Sequence, residues 1–213
     1  MSNASAVILP KSVSYTGSTN NVTYRASVQH ANSTYTLTGV IDSDAGHVDL
    51  NVLEPAIGTN AGTYYDGQVS LSGRASGNYQ LAVTGNTLGS LVIAAKPLSL
   101  AGLDASNKVY DATTAATVSG STSDVIGSDV VTFSQSAAFA DKNVGTGKTV
   151  NVTGISLAGT DAGNYSLQNT TASTTADISR ASLSVTGASA SNKVYDATTA
   201  ATVGGGAVTA LGS

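Results

Sequence analysis

The chain has 213 residues, of which 9 are Lys or Arg and 13 are Asp or Glu, so its formal net charge is −4. The basic residues are spread singly along the sequence, and we therefore expect no nucleic acid and no anionic membrane surface as a partner. The chain has no cysteine, which excludes disulfides and thiolate chemistry, and no apolar run approaches the roughly 20 residues of a membrane-spanning helix, so no membrane insertion is expected.

The first part of the chain alternates apolar and polar side chains with a period of two. The pattern is clearest in residues 22–28, 47–52 and 79–83, where every second residue is Val, Leu, Tyr or Ala. A period of two is typical of β-strands with one buried face, and the Gly, Asn, Asp and Ser clusters between the runs are typical of turns. Residues 1–5, MSNAS, lack this pattern and are interpreted as a tag or linker.

A stretch of 14 residues, ASNKVYDATTAATV, occurs at 105–118 and again, unchanged, at 190–203. A second mark, AGNYSL at 162–167, is echoed by SGNYQL at 76–81. Such internal self-similarity is the signature of tandem repeats.

These repeated motifs divide the chain into three successive copies of one repeat unit. The predicted boundaries are 6–96, 97–181 and a truncated third unit at 182–213. In the first unit, KSVSYTGSTNNV at 11–22 is interpreted as the diverged counterpart of NKVYDATTAATV, which aligns Tyr15 with the repeated tyrosines farther along the chain.

Short strands and polar turns without a helical stripe predict an all-β fold. We expect tandem antiparallel β-sandwich repeat domains of the immunoglobulin-like type, arranged as a rod. The segments AAKPLSL (94–100) and SRASLSV (179–185) join consecutive units with almost no flexible residue.

The motifs NKVYDATT and GTDAGNYSL make the second unit resemble the YDG repeat family of large bacterial surface proteins. The first unit resembles, more loosely, the related MBG repeats through SYTG, NAGTYY and SGNYQL. The resemblance implies secreted, non-enzymatic β-sandwich modules in exoproteins of the two-partner-secretion type, which act in adhesion and biofilm formation. It supplies no ligand-binding residues.

One position departs from the family pattern. Where the third letter is usually glycine, this chain has Ala112 and Ala197. Because glycine is mandatory only where φ is positive, alanine predicts a turn with negative φ, or one that tolerates alanine.

The Tyr-Asp pairs of the repeat have two interpretations. Tyr110 with Asp111, and Tyr195 with Asp196, have the chemistry to hold a carbohydrate between an aromatic face and a carboxylate. The structural interpretation, which we favour, packs the tyrosine on the rim of the core and lets Asp111 accept the backbone N–H of Thr113 or Thr114 in a turn.

The GNY motifs have a similar structural interpretation. Asn78 and Asn164 are predicted to lie in turns, and Tyr79 and Tyr165 are predicted to point inward at the start of a strand. These residues, with the Tyr-Asp pairs and Tyr15, form the predicted structural signature of the repeat.

Three residues of the first unit are candidate ligand contacts. Tyr64, Tyr65 and Asp66 occur in GTYYDGQV, where the second unit has GTGKTV. Exposed paired tyrosines stack on sugars or partner surfaces, although along a strand one tyrosine would point inward and only the other would be free.

Metal binding and catalysis have little support. The sequence DSDAG (42–46) begins like a calcium loop but lacks the later ligands, so no cofactor is expected and calcium is only weakly supported. His30 and His47 have no catalytic partner at a recognisable spacing, and no carboxylate pair is apparent, so we expect no enzyme activity.

These observations favour non-enzymatic spacer repeats that project the adhesive region of a secreted, cell-surface bacterial protein. The alternative is a module that binds carbohydrate or matrix through its first repeat. The expected partners are neighbouring repeats and an extracellular polysaccharide or host surface. The third unit is too short to bury a core, so it is predicted to be disordered or to pair with an exposed strand edge, including that of a second chain in a dimer.

Overall fold

The computed structural model describes residues 7–122 and 124–208, and there it is all-β. Residues 1–5, interpreted as a tag or linker, lie outside the described residues. The regular elements are strands of 2 to 14 residues and three single 3₁₀ turns, Asp42–Asp44, Ser76–Asn78 and Ala162–Asn164. The expectation of an all-β chain is therefore confirmed.

Among the described residues before 96 there are ten strands: β1 (Lys11–Gly17), β2 (Thr19–Thr23), β3 (Gln29–His30), β4 (Tyr35–Thr38), β5 (Asp49–Val52), β6 (Ile57–Gly58), β7 (Gly62–Tyr65), β8 (Val69–Ser72), β9 (Tyr79–Leu81) and β10 (Ser90–Ala94). Eight follow in the second repeat: β11 (Lys96–Leu98), β12 (Ala101–Ala105), β13 (Lys108–Val109), β14 (Val118–Ser121), β15 (Thr132–Phe139), β16 (Gly145–Ala158), β17 (Tyr165–Leu167) and β18 (Ala172–Ser179). The remainder contains β19 (Val185–Thr186), β20 (Ser189–Ala190), β21 (Val203–Gly204) and β22 (Ala207–Val208).

The sheets of the first two repeats mix parallel and antiparallel strands. Strand β1 pairs with β4 antiparallel and with β9 parallel, and β10 pairs with β7 antiparallel and with β2 parallel. The second repeat repeats the parallel pairs as β11 with β17 and β13 with β18. The expected antiparallel pairs are thus accompanied by parallel ones, which alternation could not reveal, since it shows which face of a strand is buried but not its direction.

The described residues fall into two compact units. The first contains those within Met1–Ser99, Ser123–Thr132 and Leu157–Gln168, and the second those within Leu100–Thr122, Phe133–Ser156 and Asn169–Ser213. The second repeat of the sequence therefore contributes to both units.

Each unit buries its own apolar side chains. In the first, Val13, Val48 and Tyr79 form a core against Leu37 and Leu71. The core of the second unit consists of Ala105, Phe139, Val150, Ala176 and Ile178, with Tyr110 and Val118 packed against it. Many core residues are β-branched or aromatic, as expected for strands with one buried face.

The third repeat pairs with itself. Strand β19 is antiparallel to β22 and β20 is antiparallel to β21, so residues 185–208 form a two-stranded ribbon. Its side chains are exposed throughout. These residues pair with each other and not with another unit of the same chain, because a hairpin satisfies its backbone groups locally without a core. A dimer through this segment remains a prediction, and residues 209–213 lie outside the described part.

The strand pairing also corrects the alignment of the repeats. The backbone N–H of Tyr24, just after β2, donates to the carbonyl of Ala94 at 2.9 Å, and that of Tyr110, just after β13, donates to the carbonyl of Ser179 at 2.9 Å. Tyr24 is therefore the counterpart of Tyr110.

Tyr15 has a different counterpart. Lys11 of β1 pairs with Tyr79, and Lys96 of β11 pairs with Tyr165. This register aligns KSVSYTG at 11–17 with KPLSLAG at 96–102, so Tyr15 corresponds to Leu100 and lies in the core at 9% exposure. The alignment of Tyr15 with Tyr110 and Tyr195 is therefore corrected.

Candidate functional site

The YDA turns of the second and third repeats are held by a lysine and an aspartate. Lys108 Nζ donates to Asp111 Oδ1 at 2.8 Å and to the carbonyls of Thr113 and Ala115 at 2.9 and 3.0 Å. The backbone N–H of Thr113 donates to the same Asp111 oxygen at 2.9 Å. The hydrogen bond from Lys108, followed by that from the Thr113 N–H, lowers the pKa of Asp111 to about 2.

The third repeat has the same arrangement with almost the same distances. Lys193 Nζ lies 2.7 Å from Asp196 Oδ1, which accepts the Thr198 N–H at 2.9 Å. Within this turn Tyr195 is 90% exposed, whereas Tyr110 in the second repeat is half-buried against the core. One oxygen of each aspartate is engaged in holding its own turn.

The alanine of each turn has a left-handed backbone. The φ angles are +66° at Ala112, +61° at Ala197 and +52° at Ala26, which lies in the corresponding YRA of the first repeat. Of the two expected alternatives, negative φ is excluded, and the turn is one that glycine favours and that tolerates alanine. The Lys108–Asp111–Thr113 hydrogen bonds fix the backbone on both sides of Ala112 and hold it there.

Each GNY tyrosine binds an aspartate through its hydroxyl. Tyr79 Oη donates to Asp44 Oδ2 at 2.8 Å and accepts the N–H of Ile41 at 3.1 Å. Tyr165 Oη donates to Asp129 Oδ2 at 2.7 Å, and here the accepted N–H, at 2.8 Å, is that of Ile126. Both tyrosines point inward and are about 5–6% exposed.

The two aspartates were not singled out from the sequence, although a signal for them exists. Asp44 ends IDSD at 41–44, 33 residues after Lys11, and Asp129 ends IGSD at 126–129, 33 residues after Lys96. Asp44 belongs to the DSDAG segment weighed as a calcium loop, and its carboxylate binds Tyr79 instead. Among the described residues, no group of three or more His, Asp or Glu side chains could hold a metal ion.

Within the first compact unit, Asp129 binds a second tyrosine, from the first repeat. Tyr24 Oη donates to Asp129 Oδ2 at 2.9 Å, and the ring of Tyr24 packs edge to face on that of Tyr165, with centroids 5.6 Å apart. Tyr24 is 5% exposed. Burial, followed by the hydrogen bond to Asp129, raises the pKa of Tyr24 to about 12. We call this arrangement of Tyr24, Asp129 and Tyr165 the tyrosine–aspartate joint.

An asparagine makes a second contact beside the joint. Asn164 Oδ1 accepts the backbone N–H of Ala61 at 2.8 Å, and Asn164 Nδ2 donates to Asn60 Oδ1 at 3.3 Å. Asn164 is 6% exposed, whereas its counterpart Asn78 is exposed. The NAGT turn of the first repeat is thus bound to the GNY motif of the second.

The proposed ligand contacts of the first repeat do not form one surface. Asp66 is 1% exposed, and its oxygens accept the Tyr35 hydroxyl and the Ala56 N–H, each at 2.7 Å. Burial raises the pKa of Asp66, but these hydrogen bonds outweigh it, so the net pKa is lowered. The expectation that Asp66 contacts a ligand is corrected: two residues after the inward Tyr64, it continues on the same buried face.

The adjacent tyrosines point in different directions. Tyr64 is half-buried and donates its hydroxyl to the carbonyl of Asn60 at 3.0 Å. Tyr65 is 66% exposed and is the one free aromatic surface of the three candidates.

The remaining sequence candidates add little. His47 contacts Arg74 through its ring nitrogen, and His30 is exposed in β3. In the described ranges, no helix is long and apolar enough to cross a membrane.

Comparison with known proteins identifies one part of the chain. None of the curated proteins and none of the solved structures matches the chain. A segment of the second repeat matches a family model, and this segment contains the Lys108–Asp111 turn, Asp129 and Tyr165. Residues 94–174 match the family model described as the YDG domain, which confirms at the level of this domain the resemblance expected for the second repeat.

Proposed function

We propose that the chain consists of non-enzymatic spacer repeats from the stalk of a secreted bacterial cell-surface adhesin. Its tandem β-sandwich repeats project an adhesive region away from the cell in attachment or biofilm formation. The observation that carries the proposal is the tyrosine–aspartate joint, in which Tyr24 of one repeat and Tyr165 of the next donate to the same oxygen of Asp129.

The chemistry of the recurring residues supports a structural role. A binding or catalytic site needs polar groups that are free to meet a ligand. Here the aspartates that accompany the signature tyrosines accept hydrogen bonds from within the fold: Asp44 from Tyr79, Asp129 from two tyrosines, and Asp111 from Lys108 and Thr113. Residues that recur in successive repeats are used to build and join the repeats.

The buried joint also suits a spacer mechanically. Rotation at a junction is restricted when an aromatic pair and a charge-assisted hydrogen bond must separate together. The second contact, from Asn164 to Ala61, lies beside the first and would have to break in the same movement. The neighbouring repeats are therefore the first partners of each repeat.

An attachment assay tests the spacer role. The chain is displayed between a membrane anchor and an unrelated adhesive domain, and bacterial attachment is measured under flow. We expect the chain to support attachment and a Gly/Ser linker of equal residue number to support less. The isolated chain should bind no polysaccharide or matrix protein; specific binding by the chain alone would contradict the proposal.

The exposed Tyr65 favours the second candidate, a carbohydrate- or matrix-binding module. Its side chain is 66% exposed in a segment that the second repeat lacks. If this candidate is correct, binding to a glycan or matrix array should be lost in Tyr65→Ala and kept in Tyr64→Phe, which removes only an internal hydroxyl.

A further inference from the structure

The first repeat carries an uncovered copy of the surface that forms the joint in the second. Asp129 Oδ2 accepts two tyrosine hydroxyls, whereas Asp44 Oδ2 accepts that of Tyr79. Asn164 is 6% exposed and bound to Ala61, whereas Asn78 is exposed. The same residue types thus stand in the same places, with a partner on one copy and open surface on the other.

A surface cavity lies at the open copy. It has a volume of about 430 Å³ and is lined by Asp44, Asn78 and Tyr79, together with Ile8 and Leu9. In the second repeat the corresponding place beside Asp129 and Tyr165 is filled by the ring of Tyr24. The cavity therefore has the position, a partly apolar lining and a carboxylate, that of Asp44, which suit a tyrosine side chain.

The segment before β1 resembles in sequence the end of β10, the last strand of the first repeat. VILPKS at 7–12 matches VIAAKP at 92–97 in its Val, Ile and Lys, and in each case the Lys begins the strand that pairs with the GNY motif. In the second copy, Ile93 belongs to β10, lies between β2 and β7, and is 2% exposed. Ile8 is 96% exposed.

We propose that this surface, formed by Val7–Leu9, Asp44, Asn78 and Tyr79, is the docking site for a further module of the first-repeat type. The docked module places its equivalents of β2 and β7 on either side of Val7–Leu9. Its equivalent of Tyr24 donates to Asp44, and its equivalent of the Ala61 N–H donates to Asn78. The proposal rests on the spacer function, for which it names the neighbour and the contacts.

A second copy of residues 7–91, inserted directly before Val7 of the full chain, tests the docking site. Val7-Ile8-Leu9 then follow Leu91 of the inserted copy, as residues 92–94 do in the first repeat. We expect the inserted copy to fold and to unfold cooperatively in urea. An inserted copy that stays unfolded would overturn the proposal.

A matched pair of substitutions shows whether Ile8 closes the inserted copy. In the extended chain the substitution is made at the Ile8 that follows Leu91 of the inserted copy. Ile8→Asp should leave the urea midpoint of the present chain unchanged, and in the extended chain it should abolish the folded signal of the inserted copy. Val83→Asp is the control, because that side chain is 99% exposed and lies outside the proposed surface, so the substitution should be tolerated in both chains. If Ile8→Asp is also tolerated in the extended chain, the proposal fails.

Coupling across the new joint gives an independent measurement. In the extended chain, Tyr24→Phe in the inserted copy and Asp44→Asn in the original first repeat should shift the urea midpoint non-additively. Additive shifts would contradict docking through Asp44. If the chain bound a glycan or matrix protein, the proposed spacer function would be contradicted, but the results of these unfolding measurements would not change. If the inserted copy does not dock, the result of the attachment assay is not affected. The two proposals can therefore fail independently.

Discussion

At the scale of single residues, the repeat depends on a backbone conformation that its own side chains disfavour. Ala26, Ala112 and Ala197 all have positive φ, where the Cβ atom approaches the following carbonyl. Such strain persists only when the surroundings fix the backbone. In the second and third repeats a lysine and an aspartate do so, and the same three-residue pattern recurs in each.

Glycine at the strained position should stabilise the second repeat. We expect Ala112→Gly to raise the free energy of unfolding by about 1 kcal/mol, because glycine adopts positive φ without the steric penalty of Cβ. Urea unfolding of the full chain measures the change. Ala115→Gly, in the same turn but without positive φ, is the control and should be neutral or destabilising; a stabilisation of similar size there would refute the explanation.

Acid should weaken the same turn. The folded pKa of Asp111 is about 2, below its usual value near 4, so its contribution to stability is complete above pH 4 and is lost as the pH falls toward 2. Asp111→Asn should remove this part of the pH dependence, as followed by urea midpoints between pH 5 and pH 2. Asp104→Asn, an exposed carboxylate in β12, controls for the loss of one negative charge and should preserve the dependence.

At the scale of elements, a tyrosine hydroxyl bound to an aspartate recurs at successive places in the fold. Tyr24 and Tyr165 bind Asp129, Tyr79 binds Asp44, and Tyr35 binds Asp66. The ends of short strands thereby gain charge-assisted hydrogen bonds that compensate for small apolar cores.

Alkaline titration should reveal these tyrosines as a separate class. Burial and the aspartate bonds raise the pKa of Tyr24 and of Tyr35 to about 12, and the pKa values of Tyr79 and Tyr165 are also raised. Since unfolded tyrosine ionises near pH 10, the stabilisation is complete below pH 10 and is lost as the pH rises through 12. Absorbance at 295 nm should show a late phase that coincides with unfolding and that Tyr24→Phe diminishes. Ionisation of all the tyrosines in a single early phase would count against these buried bonds.

Much of the strand pattern could be predicted from the sequence, because alternation identifies the buried face. Val48 and Tyr79, in the alternating runs 47–52 and 79–83, are buried, whereas β2 ends at Thr23 and Val28 is 56% exposed, so alternation at 22–28 did not mark a continuous strand. The direction of the strands could not, because parallel and antiparallel partners produce the same alternation. The joint was missed for a related reason: TYRAS at 23–27 shares few letters with VYDAT at 109–113, and only the strand pairing shows that Tyr24 and Tyr110 are equivalent.

At the scale of the whole molecule, the repeats are linked by side chains as well as by the polypeptide. The second repeat supplies residues 124–132 and Leu157–Gln168 to the first compact unit, and the joint lies among these segments. The contact residues come from the motifs that define the repeat, so the same sequence both folds a module and prepares it for its neighbour. The proposed spacer would lengthen by repetition, because each added module would be completed by the next.

A double-mutant cycle on the joint tests this account most directly. The urea unfolding free energies of the wild-type chain, Tyr24→Phe, Asp129→Asn and the double variant give the coupling between the two residues. Because Tyr24 donates to Asp129 in a buried site, we predict a coupling of about 1 kcal/mol or more. Effects that add to within about 0.3 kcal/mol would mean that the two residues act independently, and would contradict the claim that the joint holds successive repeats together.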